Sequence, residues 1–211
     1  MSERFPSYDV LDKRYGPSWN EPTRRAIEAR LAPPPGPRFF SKAEWATLEA
    51  VCDRIIPQPS GRPKVPLPDY VDQKLCENRL DGYRYADLPP QGEAWRKGLA
   101  GLEAAARQVH DAPFDQLTGE QQDSLLRRMQ HGDLKGAAWR GMACKAFFAR
   151  RLIPDITHAY YAHPTAWSEI GFGGPASPRG YVRLKLNRRD PWEAAEAGDT
   201  EQTRKANARV G

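Results

Sequence analysis

No run of about 18 apolar residues, the length a membrane-spanning helix needs, occurs anywhere in the 211-residue chain. Cysteine is scarce as well. Cys52, Cys76 and Cys144 lack the close C-x-x-C pairs of zinc or iron–sulfur sites, and an odd count excludes a pure disulfide framework. Cys52 is expected to be a small buried hydrophobe on the apolar face of a helix. Charge of one sign is not concentrated: 32 basic and 27 acidic residues are interspersed and leave a net +5. A nucleic-acid binder gathers its cations on one stripe, so no nucleic-acid partner is expected. The densest basic stretch, Arg183 to Arg189, is short and lies between apolar residues.

Histidine is equally sparse. His110, His131, His158 and His163 have no acid or thiol partners at a spacing that acid–base or nucleophilic chemistry would use. His158 and His163 stand five apart with Asp155 one turn earlier, which is not the i, i+4 spacing that puts two imidazoles on one helical face. His163, followed by Pro164, reads as a capping side chain at a helix C-terminus. The expectation is therefore no metal, no cofactor and no catalytic group in this chain. The opening MSERFPSYDVLDKRYG has no apolar core of a secretory signal, and Arg24-Arg25 runs into the charged, proline-rich IEARLAPPPGP, so no export signal is expected.

What the chain does have is proline and glycine in clusters, 20 and 17 respectively, with 39% hydrophobic residues. Residues 1–38 read as an extended arm whose Phe5, Tyr8, Tyr15 and Trp19 need a surface, their own bundle or a partner, and which holds one short helical stretch over Pro22–Leu31. Ser41 and Glu44 form a capping box that starts a helix through Trp45, Leu48, Val51, Cys52 and Ile55, stopped by Pro57. Further helices are expected over Asp69–Asn78, over Glu93–His110 and from an opening at Thr118 and Gln121. A last one runs from Trp139 to Tyr161, kinked at Pro154. No alternating pattern precedes residue 180. The fold expected is all-α, a compact bundle of about five helices with extended Pro/Gly-rich arms at both ends. The domain reading is an arm over 1–38, a helical domain over 39–186, and a charged, mobile tail over 187–211.

The least ordinary segment is HPTAWSEIGFGGPASPRGY, read as a shaped, non-helical strip. Its G-F-G-G-P matches neither G-x-G-x-x-G nor G-x-S-x-G, and Pro175 removes an N–H that an anion cradle needs. Three large aromatics on a segment with no backbone ladder must be fixed by something. Either the protein's own bundle holds them, as an internal clasp, or a partner does. The candidate partner-binding residues are His163, Pro164, Trp167, Glu169, Phe172, Gly173, Gly174, Pro175 and Tyr181, with Trp167, Phe172 and Tyr181 as anchors and Glu169 as a polar edge contact.

The ordered segments FFSKAEWATLEAVCDRIIPQ, VPLPDYVDQKL, FDQLTGEQQDSLLRRMQHGD and AYYAHPTAWSEIGFGGPASPRGY, spanning about Arg38 to Leu186, resemble the gluconate 2-dehydrogenase subunit 3 family. The resemblance implies a non-catalytic small subunit that binds, stabilises and helps mature a large flavin-dependent dehydrogenase of the glucose–methanol–choline type. That large subunit would hold the FAD and act on a sugar, sugar acid or alcohol. In some complexes a cytochrome c subunit is a further partner. Lacking the twin-arginine signal that some members carry, this chain is expected to be cytoplasmic, with periplasmic location as the alternative if a partner carries it out. The competing classes are a stand-alone enzyme and a general helical adaptor.

Overall fold

The computed structural model describes residues 4–181, 184, 188–196 and 200–210. Among them the chain is all-α: the sole strand-like feature is one bridge between Trp19 and Ser177. The α-helices are α1 (Glu21–Leu31), α2 (Lys42–Ile55), α3 (Leu67–Cys76), α4 (Gln91–His110), α5 (Gly119–His131), α6 (Cys144–Phe147), α7 (Ile153–Tyr161), α8 (Pro164–Ile170) and α9 (Glu201–Asn207). They outnumber the five expected of the bundle because the short helical stretch expected in the N-terminal arm is α1, α8 and α9 form in segments read as irregular, and the expected helix over 139–161 is broken up.

The residues group into two units. One comprises 33–60 and 66–159; the other comprises 1–32, 61–65 and 160–211. Both ends of the chain, 1–32 and 160–211, thus belong to one unit. The boundary placed at 186 lies outside the described residues.

In the unit of 33–60 and 66–159, local chemistry fixes the helix starts. Ser41 Oγ accepts from the Glu44 N–H and the Glu44 carboxylate accepts from the Ser41 N–H, closing the box that opens α2. Thr118 and Gln121 do the same for α5. Trp95, Leu99, Leu102 and Ala106 recur at helical spacing along α4 and are all buried, against α2, α5 and α6. Each large apolar side chain so covered stabilises the fold by roughly 1.5–3 kcal/mol. Gly98 is required here, because a Cβ would run into the Phe147 ring, itself edge-on to Trp95 at 5.4 Å. Cys52 is buried as expected, and burial holds its thiol protonated.

Two acids on α3 hold the proline-rich approach to α2. Asp72, fully buried, accepts from the backbone N–H groups of Arg38, Phe39 and Phe40 at 2.9, 2.9 and 3.1 Å. Asp69 accepts from the Gly36 N–H at 2.7 Å. A buried carboxylate is tolerated because three donors replace its water.

The expected helix over 139–161 breaks first at Arg140 and Gly141, both with positive φ, so that α6 starts only at Cys144. A π-helical turn over Phe148–Leu152 then joins α6 to α7. Pro154 has no N–H to offer the turn behind it, and the Arg150 carbonyl instead accepts from Arg151 Nε at 2.9 Å. Asp155, at the start of α7, is buried and accepts from Lys74 Nζ and from the Trp95 indole N–H, each at 2.7 Å.

Candidate functional site

The other unit is built from segments far apart in sequence. Phe5, Tyr8, Val10 and Trp19 from the N-terminal segment, Ile27 of α1, Trp167 of α8 and Val210 near the C-terminus make one buried cluster. The anticipated arm is therefore folded: Val10–Tyr15 is a 3₁₀ turn capped by Asp9, and three of the four arm aromatics are buried in their own chain, while Tyr15 is exposed. The tail is ordered too over its described part. Thr200 caps α9, and Asn207, fully buried, donates to the Pro6 carbonyl and accepts from the Ala195 N–H.

The strip read as non-helical begins with a helix. His163 is the N-cap of α8, not a C-cap: its Nδ1 accepts from the Thr165 N–H at 3.2 Å, and Pro164 occupies the first turn, where a missing N–H costs nothing. Burial lowers the His163 pKa from 6.5 to about 4, so the ring stays neutral and Nδ1 stays an acceptor. The helix ends at Gly171, whose φ is +69°.

Beyond Gly171 the backbone makes no ladder, and the N-terminal segment takes up its carbonyls. Tyr8 OH donates to Phe172 O at 3.3 Å, Lys13 Nζ to Gly173 O at 3.2 Å, and Trp19 Nε1 to Pro175 O at 2.7 Å. The Asn20 N–H donates to Ser177 O at 2.7 Å, and Tyr181 OH to Gly174 O at 3.1 Å. Gly174, at φ +65°, leaves room for the Trp167 ring and Val10, which a Cβ would crowd at 3.3 Å.

The strip residues thus fall into two sets. His163, Pro164, Trp167 and Gly174 are buried, and Trp167 donates its indole N–H to Tyr161 O at 2.6 Å. Glu169 accepts from Tyr160 OH, and with Gly173 and Pro175 it is half-buried. Phe172 and Tyr181 are outward, 45% and 71% exposed. They share the surface of this unit with Tyr161, Ile170 and Leu184, all at least 45% exposed, so five large apolar side chains stand out within residues 161–184. Trp167, expected as an anchor alongside Phe172 and Tyr181, instead fills the core, with the Phe172 ring edge-on to it at 5.7 Å.

Sequence reasoning missed the residues that hold the strip. Tyr8 and Trp19 carried a signal, as aromatics in need of a surface. Lys13 and Asn20 carried none, since a lysine in a charged segment looks solvated. Lys13 is 1% exposed, its amine 5.6 Å from the centre of the Tyr8 ring, and burial lowers its pKa to about 8, with Arg179 nearby adding to the effect.

Among the described residues no group of three metal-ligating side chains is gathered, and no helix is long and apolar enough to cross a membrane. The fold and the strip define a helical protein with outward aromatics on a pinned, irregular segment. Residues 42–174 match the family model for gluconate 2-dehydrogenase subunit 3, and the chain belongs to that family. No curated protein and no solved structure matches it.

Proposed function

We propose that this chain is the non-catalytic small subunit of a flavin-dependent dehydrogenase complex, binding the large subunit of the glucose–methanol–choline type and assisting its maturation. The observation that carries the reading is the family match across residues 42–174, a family whose name places it in a dehydrogenase as the third subunit. The large subunit would hold the FAD and carry out oxidation of a sugar, sugar acid or alcohol; a cytochrome c subunit is the natural electron acceptor where one is present. We place the complex in the cytoplasm, with the periplasm as the alternative if it is exported with a partner.

Support for a docking role comes from Phe172 and Tyr181. Tyr8 holds the Phe172 carbonyl, Lys13 holds that of Gly173 beside it, and Tyr181 donates its own hydroxyl to the Gly174 carbonyl, so the rings lose little freedom on contact. Rigid aromatics with few rotatable bonds make effective interface anchors. Ile170 and Leu184 are exposed in the same unit, and Glu169, Gly173 and Pro175 are half-buried.

Co-expression tests the maturation role. A large subunit produced with this chain should carry more bound flavin, and more dehydrogenase activity per milligram, than the same subunit produced alone. Equal flavin loading and activity in both preparations would exclude it.

A further inference from the structure

In the unit of 33–60 and 66–159, the loop between α3 and α4 is fastened at two acids. Asp81 accepts from Lys74 Nζ at 2.6 Å and from the Arg151 guanidinium at 2.7 Å, and Asp87 pairs with Arg150. Gln91, at the start of α4, donates to the Arg79 carbonyl at 2.8 Å. The Arg150 guanidinium lies 4.8 Å over the Tyr85 ring, and the Tyr83 ring meets Tyr85 edge-on at 5.4 Å. So held, the loop encloses a groove of about 450 Å³ whose walls include Leu80, Tyr83, Tyr85, Leu88, Pro89 and Pro90. Leu80 is 71% exposed and Tyr83 59%, and Arg84 and Pro90 are exposed with them, so these walls are open to an incoming chain.

The charge in the groove has one sign. Asp81 is the only carboxylate among its described lining residues, and two cations already hold it. Arg84 has no ion pair or hydrogen bond among the described residues. The groove also meets the first turn of α4, an end that carries partial positive charge and that no side chain caps; Glu93 in that turn is paired with Lys97 at 2.7 Å.

We propose that this groove docks an extended, proline-rich segment of a partner protein, with acidic residues at one end of the segment meeting Arg84 and the start of α4. A strand would need a sheet edge to extend, and the described residues offer none. A docked helix, about 10 Å across, needs a long trough between elements, whereas this groove lies within one loop. A polyproline II segment needs no backbone ladder and packs its rings on aromatic and proline walls. The fastened loop presents those walls ready-made, which keeps the ordering cost low. This groove and the strip bearing Phe172 and Tyr181 share no residue, so the proposal stands whether or not the chain docks to a dehydrogenase.

Fluorescence anisotropy on the purified full chain, at low ionic strength, tests the assignment with three labelled decapeptides. One is proline-rich with two glutamates at its N-terminus, one has lysines for the glutamates, and one keeps the glutamates but has alanines for the prolines. The acidic proline-rich peptide should bind saturably, and each of the others at least fivefold more weakly. Tyr83→Ala and Arg84→Gln, both on exposed side chains, should leave the melting curve unchanged and weaken the acidic proline-rich peptide at least fivefold. No saturable binding of that peptide at millimolar concentration, equal affinity for either control peptide, or unchanged affinity in both variants overturns the proposal.

Discussion

The side-chain amide of Asn207 donates to the carbonyl of Pro6 at 2.9 Å, joining the last helix of the chain to its first described residues. Asn207 also accepts from the Ala195 N–H at 2.6 Å and donates to the Ala195 carbonyl at 3.2 Å. Replacing it with alanine strands these buried backbone groups, at a cost of about 1–3 kcal/mol for the group left worst off. Asn207→Ala should lower the melting temperature, and deletion of residues 195–211 should lower it further. An unchanged melt on deletion would mean that the tail contributes nothing to the fold.

The cap of α8 makes the same unit sensitive to acid. His163 has a folded pKa of about 4 against 6.5 unfolded, so between these values the unfolded chain binds the extra proton. Stability from this group is complete above pH 6.5, falls as pH drops through that window, and is gone below about 4. Protonation would also convert the Nδ1 acceptor into a donor facing the Thr165 N–H. His163→Asn keeps a capping oxygen and removes the titration. Thermal melts from pH 7.5 to 4.5 should flatten in this variant relative to wild type; parallel curves would contradict the assignment.

For the larger unit, Asp72→Ala should be far more damaging than Ser41→Ala. The first leaves the N–H groups of Arg38, Phe39 and Phe40 without their acceptor inside the protein, a loss of about 3 kcal/mol or more. The second removes one exposed cap, worth about 1 kcal/mol. Urea unfolding of both variants checks the order, and equal midpoints would contradict it.

Local rules made α2 and α5 legible, because a capping box spans only four residues and the buried faces repeat every turn. They failed where contacts are long-range. Nothing adjacent to Trp19 in sequence announces Pro175, whose carbonyl its indole meets, nor does anything near Asn207 announce Pro6. The helix α8 was hidden by the glycines that follow it, although Pro164 in its first turn was a readable start signal. Of the strip, the aromatic content was visible, but which ring faces inward was not: Trp167 is buried by Phe5, Tyr8, Val10 and Trp19, which lie about 150 residues away in sequence.

That difference gives the paired variants Trp167→Ala and Phe172→Ala opposite signatures. Trp167→Ala removes a buried ring and its hydrogen bond to Tyr161, and should cost about 3–5 kcal/mol in stability. Phe172→Ala, on a half-exposed ring, should leave the melt within a few degrees of wild type. A collapsed melt in Phe172→Ala would assign that ring to the core as well.

The central claim is that this chain docks onto a flavin-dependent dehydrogenase through Phe172 and Tyr181, and co-elution tests it most directly. A glucose–methanol–choline type large subunit is co-expressed with tagged wild-type chain or with the Phe172→Ser, Tyr181→Ser double variant, and flavin absorbance is followed through affinity capture and gel filtration. The account predicts that flavin co-elutes with the wild-type chain and is lost from the double variant, whose melting curve is unchanged. Flavin retained equally by both chains, or a large subunit that elutes alone beside the wild-type chain, would contradict it.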